Sequence, residues 1–250
     1  MKFRIIAVVA TAVALSLATA GSAAAVAAGH ATPHRTARPP QVTGSRLQTG
    51  LLRPSSLGNG FTSGATLSTG GKLQSTRATM HVPSMSCRVF EGQIFFGVYG
   101  DTAGALSMFV NPNAPAQFPD AIFYGYQAVV QFPTARAAGT FFAQSRAKFA
   151  HCQSFSEPNP GDNVPGGGTL QVGSVSVART SISGYQGFVV TQSIAMSESP
   201  GTSWYRNILF AASGTDVYSL WEVSGVNDEP SPALMSRLIH RIQALYPRRA

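Results

Sequence analysis

Charge is scarce in this chain. Lys, Arg, Asp and Glu make up 11% of its 250 residues, and only ten of them are acidic. Ten acids leave little material for the paired carboxylates of glycosidase chemistry, and five of them sit beside turns, at Asp101, Asp120, Asp162, Asp228 and Glu229. The basic residues form no stripe. Arg35, Arg38, Arg46 and Arg53 lie early, Arg248 and Arg249 close the chain, and the rest are scattered. Phosphate-backbone binding uses clustered cations, so nucleic acid is set aside as a partner. Cysteine is limited to Cys87 and Cys152, too far apart for a redox Cys-x-x-Cys. There is no Gly-x-Ser-x-Gly. Gly166-Gly167-Gly168 has no following Lys-Ser/Thr, so it reads as a flexible loop rather than a phosphate cradle. Past residue 28 no apolar run reaches the roughly 20 residues of a membrane span.

What is present begins with an export pattern. Lys2 and Arg4 precede an apolar stretch through Leu15 and Leu17, and small residues crowd positions 18–28. A positive start, an apolar middle and a small-residue exit describe a secretory signal peptide. Residues 1–28 are read as that signal, with cleavage between Ala25 and Ala28. An uncleaved amino-terminal anchor is the rival reading. The remaining chain of about 222 residues keeps a formal charge near +6. Residues 29–50 are rich in Pro, Thr, Arg and His and are read as a flexible basic tether. Such a tether suits weak contact with an anionic envelope surface. Behind an export signal, Cys87 and Cys152 are expected to form one disulfide. A reactive thiol pair is the alternative. A metal pair of Cys152 with His151 is weaker, because helical neighbours point about 100° apart.

One folded domain is expected over residues 51–247. Strands are read at 92–99, 106–110 and 122–132, each rich in aromatic and β-branched residues. Residues 62–84 show no period. Thr134 caps a helix running from Ala135 to Cys152, with Ala138, Phe141, Phe142, Ser145, Phe149 and Cys152 on one face. Residues 153–170 break the pattern as a long loop. Four strands follow at 172–179, 187–196, 204–212 and 217–223, joined by short turns that imply antiparallel neighbours. A last helix starts at Ser231-Pro232 and lines up Leu234, Met235, Leu238, Ile239, Ile242 and Leu245. The order predicts an α+β domain, a twisted antiparallel sheet with two main helices and one covered face.

Three segments run Leu51-Leu52-Arg53-Pro54-Ser55-Ser56-Leu57, then Phe132-Pro133-Thr134-Ala135-Arg136-Ala137-Ala138-Gly139-Thr140-Phe141-Phe142, then Phe149-Ala150-His151-Cys152. Together they resemble the actinobacterial PknH-like extracellular sensor domain. The hairpin from Ser203-Trp204-Tyr205-Arg206-Asn207 to Asp216-Val217-Tyr218 is similar in position. The resemblance spans about residues 51–246. It implies a sheet with packed helices, a ligand cleft, and Cys87 and Cys152 as the first of two family disulfides. The second pair would fall near Tyr205 and Val223, and neither is cysteine. No kinase motif accompanies the resemblance.

The enzyme signals are weak. Ser145-Arg146-Ala147-Lys148 spells Ser-x-x-Lys, but Ser145 lies on the helix's apolar face and no Lys-Thr-Gly follows. His30 and His34 fall in the tether, His240 at the rim of the last helix, and His81 and His151 acquire no role. Glu222, beside Trp221 on a strand, is the acid to watch, and alternation reads it as an outward residue. No catalytic residue, metal ligand or cofactor is assigned. For binding, Trp204, Trp221, Tyr124 and Tyr126 are the candidates, since aromatic faces stack on sugars and lipids. The expected function is an exported, non-catalytic binding or sensor-like domain. Its ligand would be a small molecule, glycan or lipid of the cell envelope. A secreted hydrolase and a structural envelope protein are the alternatives.

Overall fold

The computed structural model describes residues 42–57, 60–69, 82, 85–87, 90, 103–111, 122–158, 169–196, 203–225, 227, 228 and 230–246. The expected strand at 92–99, the tail of the loop before 169 and the segment 70–81 lie outside the described residues. Three helices are described: α1 (Gly44–Gly50), α2 (Ala135–His151) and α3 (Pro232–Gln243). Eight strands are β1 (Thr62–Thr69), β2 (Ala103–Val110), β3 (Ile122–Gln131), β4 (Phe155–Pro158), β5 (Thr169–Ile182), β6 (Tyr185–Met196), β7 (Ser203–Ser213) and β8 (Asp216–Ser224). A 3-10 turn at Pro54–Ser56 links α1 to β1.

The strands form one open antiparallel sheet in the order β1-β2-β3-β8-β7-β6-β5-β4. The path explains the order. After β3 the chain crosses one face as α2 and restarts at the far edge with β4. Hairpins then return it strand by strand, until β8 seals against β3. The β5–β6 hairpin turns on Ser183 and Gly184, both with positive φ (49° and 87°). A two-residue turn of that hand matches the twist of the flanking strands. All nine residues of β8 are buried.

Both faces of the sheet are covered, not one. On the first face, α2 lays Ala138, Phe141 and Phe149 against Phe188, Val190, Ile208 and Phe210. Phe149 lies 4.8 Å from Phe90, 5.7 Å from Phe210 and 6.4 Å from Phe188, ring centre to ring centre. Fully burying one such side chain stabilises by about 1.5–3 kcal/mol. Thr134 caps α2 by accepting from the Ala137 amide at 3.1 Å. On the second face, α3 buries Met235, Leu238, Ile239 and Ile242 against Val129, Leu209, Ala211 and Leu220. Ser231 caps it, accepting from the Leu234 amide.

The second cover was hidden by the tether reading. Residues 44–50 are helical, and Leu47 is fully buried. The folded chain is under way by Val42, ahead of residue 51. Two buried glutamines of β3 hold this stretch. Gln127 accepts from the Leu52 amide and donates to the Leu52 carbonyl, both at 2.7 Å. Gln131 accepts from the Val42 amide at 3.0 Å. Gly50 lets α1 approach α3, since a Cβ there would lie 2.6 Å from the Ile242 Cδ1.

Cys87 and Cys152 are bonded, with Cα atoms 5.5 Å apart, within the usual range for a disulfide. Cys152 caps the carboxyl end of α2, its amide donating to the carbonyls of Lys148 and Phe149. The bond ties that end to the Cys87 segment across 65 residues of sequence. It points to an extracytoplasmic location, because thiols in the cytosol are kept reduced. The Cys87→Ala/Cys152→Ala variant is expected to lose about 2–5 kcal/mol of stability. Urea unfolding of variant and parent under non-reducing conditions measures this, and equal midpoints would remove the bond from the framework.

Candidate functional site

Two regions on the α2 face of the sheet carry side chains not explained by packing alone. They lie at opposite ends of β7. Arg206 marks one and Ala212 the other, six residues and about 20 Å apart along a strand.

The first region is a groove of about 550 Å³ between α2 and the β5–β6–β7 end of the sheet. From α2 come Gly139, Phe142, Ala143 and Arg146. These fall at i, i+3, i+4 and i+7, one stripe along the helix. It is not the stripe that packs, which runs through Ala138, Phe141, Ser145 and Phe149. From the sheet come Arg179 and Thr180 on β5, Gln186 and Gly187 on β6, and Ala212 on β7. Phe142 forms the apolar wall, seated 4.9 Å from the Phe188 ring. Arg146 is half-buried and Arg179 exposed. The volume falls in the range of small-molecule sites, about 300–1,000 Å³. Sequence reasoning missed this groove. Its residues come from four elements, and Gly139 sits inside the alanine-rich turn quoted for the family resemblance.

Gly139 is informative. A glycine inside a helix costs about 1 kcal/mol relative to alanine. A Cβ built there meets nothing within 4 Å. No steric contact demands glycine at 139, and what its absent side chain leaves is room in the groove.

The second region gathers three of the four aromatic candidates. Tyr126 stacks on Trp221 at 4.2 Å and 14°, and the Arg206 guanidinium lies 5.6 Å from the Trp221 ring centre. Arg206 donates to the Gln192 side-chain carbonyl at 3.4 Å. Trp204 pairs with Ile194 one row further along. Trp204 and Trp221 are only 8% and 6% exposed, so their rings are packed within the protein as it stands. Tyr124 is in β3, opposite Val110 and Val223, and its side chain lies outside the described residues. The positions of the missing second bridge also fall here. Tyr205 pairs with Ser224 and Val223 with Arg206, so Tyr205 and Val223 point to opposite faces of the sheet. A direct bridge between those two positions does not fit this register.

On the opposite face at the same end, Glu222 sits across from Asn207 on β7 and Gly125 on β3. The expectation that Glu222 points outward fails: it is 8% exposed. Alternation put it on the face opposite Trp221, as expected, but that face is covered too. Its carboxyl is pushed up to about 7, chiefly by burial and then by repulsion from Asp228. Asn207 is fully buried, and neither polar atom of its side chain has a hydrogen-bond partner. At the other end of β8, Asp216 accepts from Tyr246 at 2.6 Å and Tyr218 at 3.1 Å. Burial still raises its pKa, outweighing those bonds.

The remaining candidates do not assemble. Ser145 is fully buried and its hydroxyl has no hydrogen-bond partner, which closes it to substrate. His151 and His240 are exposed and His81 lies outside the described residues. No cluster of three or more metal-ligating side chains occurs among the described residues. Likewise, no described helix is long and apolar enough to cross a membrane.

No family model matches this chain, and no curated protein matches it. Solved structures that resemble it include two from mycobacteria. The extracellular domain of PknH from Mycobacterium tuberculosis is similar over 83% of this chain and 98% of its own, at 16% identity and a TM-score of 0.49. An uncharacterised protein from Mycobacterium smegmatis is similar over 76% of this chain and 92% of its own, at 12% identity and a TM-score of 0.32. The first belongs to the family that the sequence motifs resemble. Neither likeness carries a residue role or a ligand across to this chain.

Glu222 makes stability depend on pH. Its folded pKa of about 7 lies above the ordinary 4.5. The folded chain therefore keeps a proton that the unfolded chain releases between those values, and stability falls as pH rises through 7. Glu222→Gln is expected to remove that slope and to raise stability at pH 8 by about 3 kcal/mol at most. Urea midpoints at pH 5 and pH 8 read this out. Asp216 contributes a slope of the same sign, which the variant retains. A variant whose slope equals the parent's would show that Glu222 does not carry the effect.

Proposed function

We propose that this protein is an exported, non-catalytic binding domain of sensor-like type. It works outside the cytoplasm at the cell envelope, and its ligand-contacting surface is the groove beside α2. The observation that carries the reading is the groove itself: an apolar wall at Phe142, open space over Gly139 and two arginines at its margin. A concavity that sets an apolar wall beside a few convergent polar groups is a usual form of small-molecule site. Residues 1–28 serve as the export signal, and the residues between that signal and Val42 act as a short basic connection to the envelope surface. The disulfide suits that compartment. On this reading Trp204, Trp221 and Tyr126 form the packed wall that stiffens the far end of the sheet.

The catalytic alternative has little to work with. Ser145 is sealed, the exposed histidines stand alone, and the two carboxylates of β8 lie at opposite ends of a buried strand. Binding needs none of these groups.

The test uses the 250-residue chain expressed in an exporting host. The recovered protein is expected to begin near residue 28 and to carry no free thiol, both read by intact mass without reductant. It is then screened by thermal shift against soluble envelope sugars, short-chain lipids and small polar metabolites. A ligand at ten times its Kd stabilises by about 1.4 kcal/mol, about 3–5 °C for a domain of this size. At least one class is expected to give such a shift, and Gly139→Trp is expected to abolish it. If no class gives a shift that depends on residue 139, the groove is not a binding site and the proposal falls.

A further inference from the structure

We infer that the groove takes an anionic, single-chain amphiphile, held by its acyl part along α2 and by its headgroup between Arg146 and Arg179. This rests on the binding reading above and names the ligand class.

Three observations converge. The first is the distribution of lining chemistry. The stripe from Gly139 through Phe142 and Ala143 to Arg146 passes from open apolar wall to cation over seven residues, about 10 Å of helix. A ligand that is apolar at one end and charged at the other fits that gradient. A free inorganic anion would leave the Phe142 wall unused, and a neutral sugar would leave both guanidinium groups unmatched.

The second is the lack of a counter-charge among the described residues. Among the described residues no ion pair engages Arg146 or Arg179. The two buried carboxylates, Asp216 and Glu222, have even-numbered positions on β8, and that face of the sheet packs with α3. Arg179 shares its parity on β5 with Val175 and Val177, which pack on the α2 side. The sheet thus separates the buried acids from the groove. Guanidinium groups suit phosphate and carboxylate because they offer paired N–H donors in one plane.

The third is Gly139. Helix stability is given up at a groove position whose missing side chain leaves open space. Arg146, by contrast, lies two turns on at the charged end. Space is kept where the chain of the ligand would lie, and charge is placed where its head would be.

The experiment uses the exported, disulfide-intact protein and isothermal titration below micelle concentration. The probes are dodecyl phosphate, dodecyltrimethylammonium, dodecyl maltoside and inorganic phosphate. Dodecyl phosphate is expected to bind one per chain, at least tenfold tighter than each of the other three. Arg146→Ala/Arg179→Ala is expected to weaken it at least tenfold, and Gly139→Trp to block it. Gly139→Leu provides a second groove-filling variant, and far-UV circular dichroism confirms that each variant is folded. If dodecyltrimethylammonium or dodecyl maltoside binds as tightly and Gly139→Trp still blocks it, the anionic assignment is wrong while the groove remains a binding site. If inorganic phosphate binds as tightly as dodecyl phosphate, the acyl part of the inference is wrong. If Gly139→Trp and Gly139→Leu change none of the titrations, the inference and the binding reading both fail.

Discussion

The structure depends on the pairing of β3 with β8. Every other pair of neighbouring strands is consecutive in the chain. This pair alone joins the two halves, the three strands ending in β3 and the five that end in β8. Nine paired positions run from Ile122–Ser224 to Gln131–Asp216. The pairing joins strands separated in the sequence by α2 and four more strands. Loop closure of that length costs entropy before any contact rewards it. The disulfide works on the same problem, because it holds the end of the crossing helix to the Cys87 segment.

Central pairing has a second effect. β8 is covered on both faces, so its polar residues have no water to turn to. Asp216 resolves this with two tyrosine hydroxyls. Glu222 has no such set and resolves it by holding its proton to higher pH. Asn207 beside it keeps an amide with no hydrogen bond, a debt of about 1–3 kcal/mol. Glu222 and Asn207 thus lie at one end of β7 and β8, while the groove sits at the other. Placing them apart lets the groove end rest on well-packed rings, with Phe188 and Phe210 stacked 4.7 Å apart beneath α2.

The central strands and both long helices were legible in the sequence because each carries its own signal. Phe141, Phe149 and Ala138 recur at helical spacing, and Leu238, Ile239 and Ile242 do the same. Both edge strands were missed. β1 reads Thr-Ser-Gly-Ala-Thr-Leu-Ser-Thr, with one large apolar residue, and β4 is four residues ending in Pro158. An edge has only one neighbour to satisfy, so composition marks it poorly, and proline is tolerated there. The helix α1 was hidden for a similar reason. Leu47 is its one large apolar side chain, and it is buried in a cluster with residues of the sheet and of α3 far along the chain. The aromatic candidates were chosen for residue type. Tyr126 and Trp221 do meet, but they meet each other. The groove was out of reach, since it is the gap between a helix and three strands.

The glutamine at 131 has a mechanical meaning. Its side-chain carbonyl holds the amide of Val42, and its side-chain amide donates to the hydroxyl of Tyr246. The first and last described residues of the fold therefore fasten to one side chain in the middle of the sheet. Tension applied between them loads the Gln131 side chain and, through the Tyr246 hydroxyl, Asp216 of β8. A pull on one end alone is passed directly to β3, the strand on which the two halves of the sheet close.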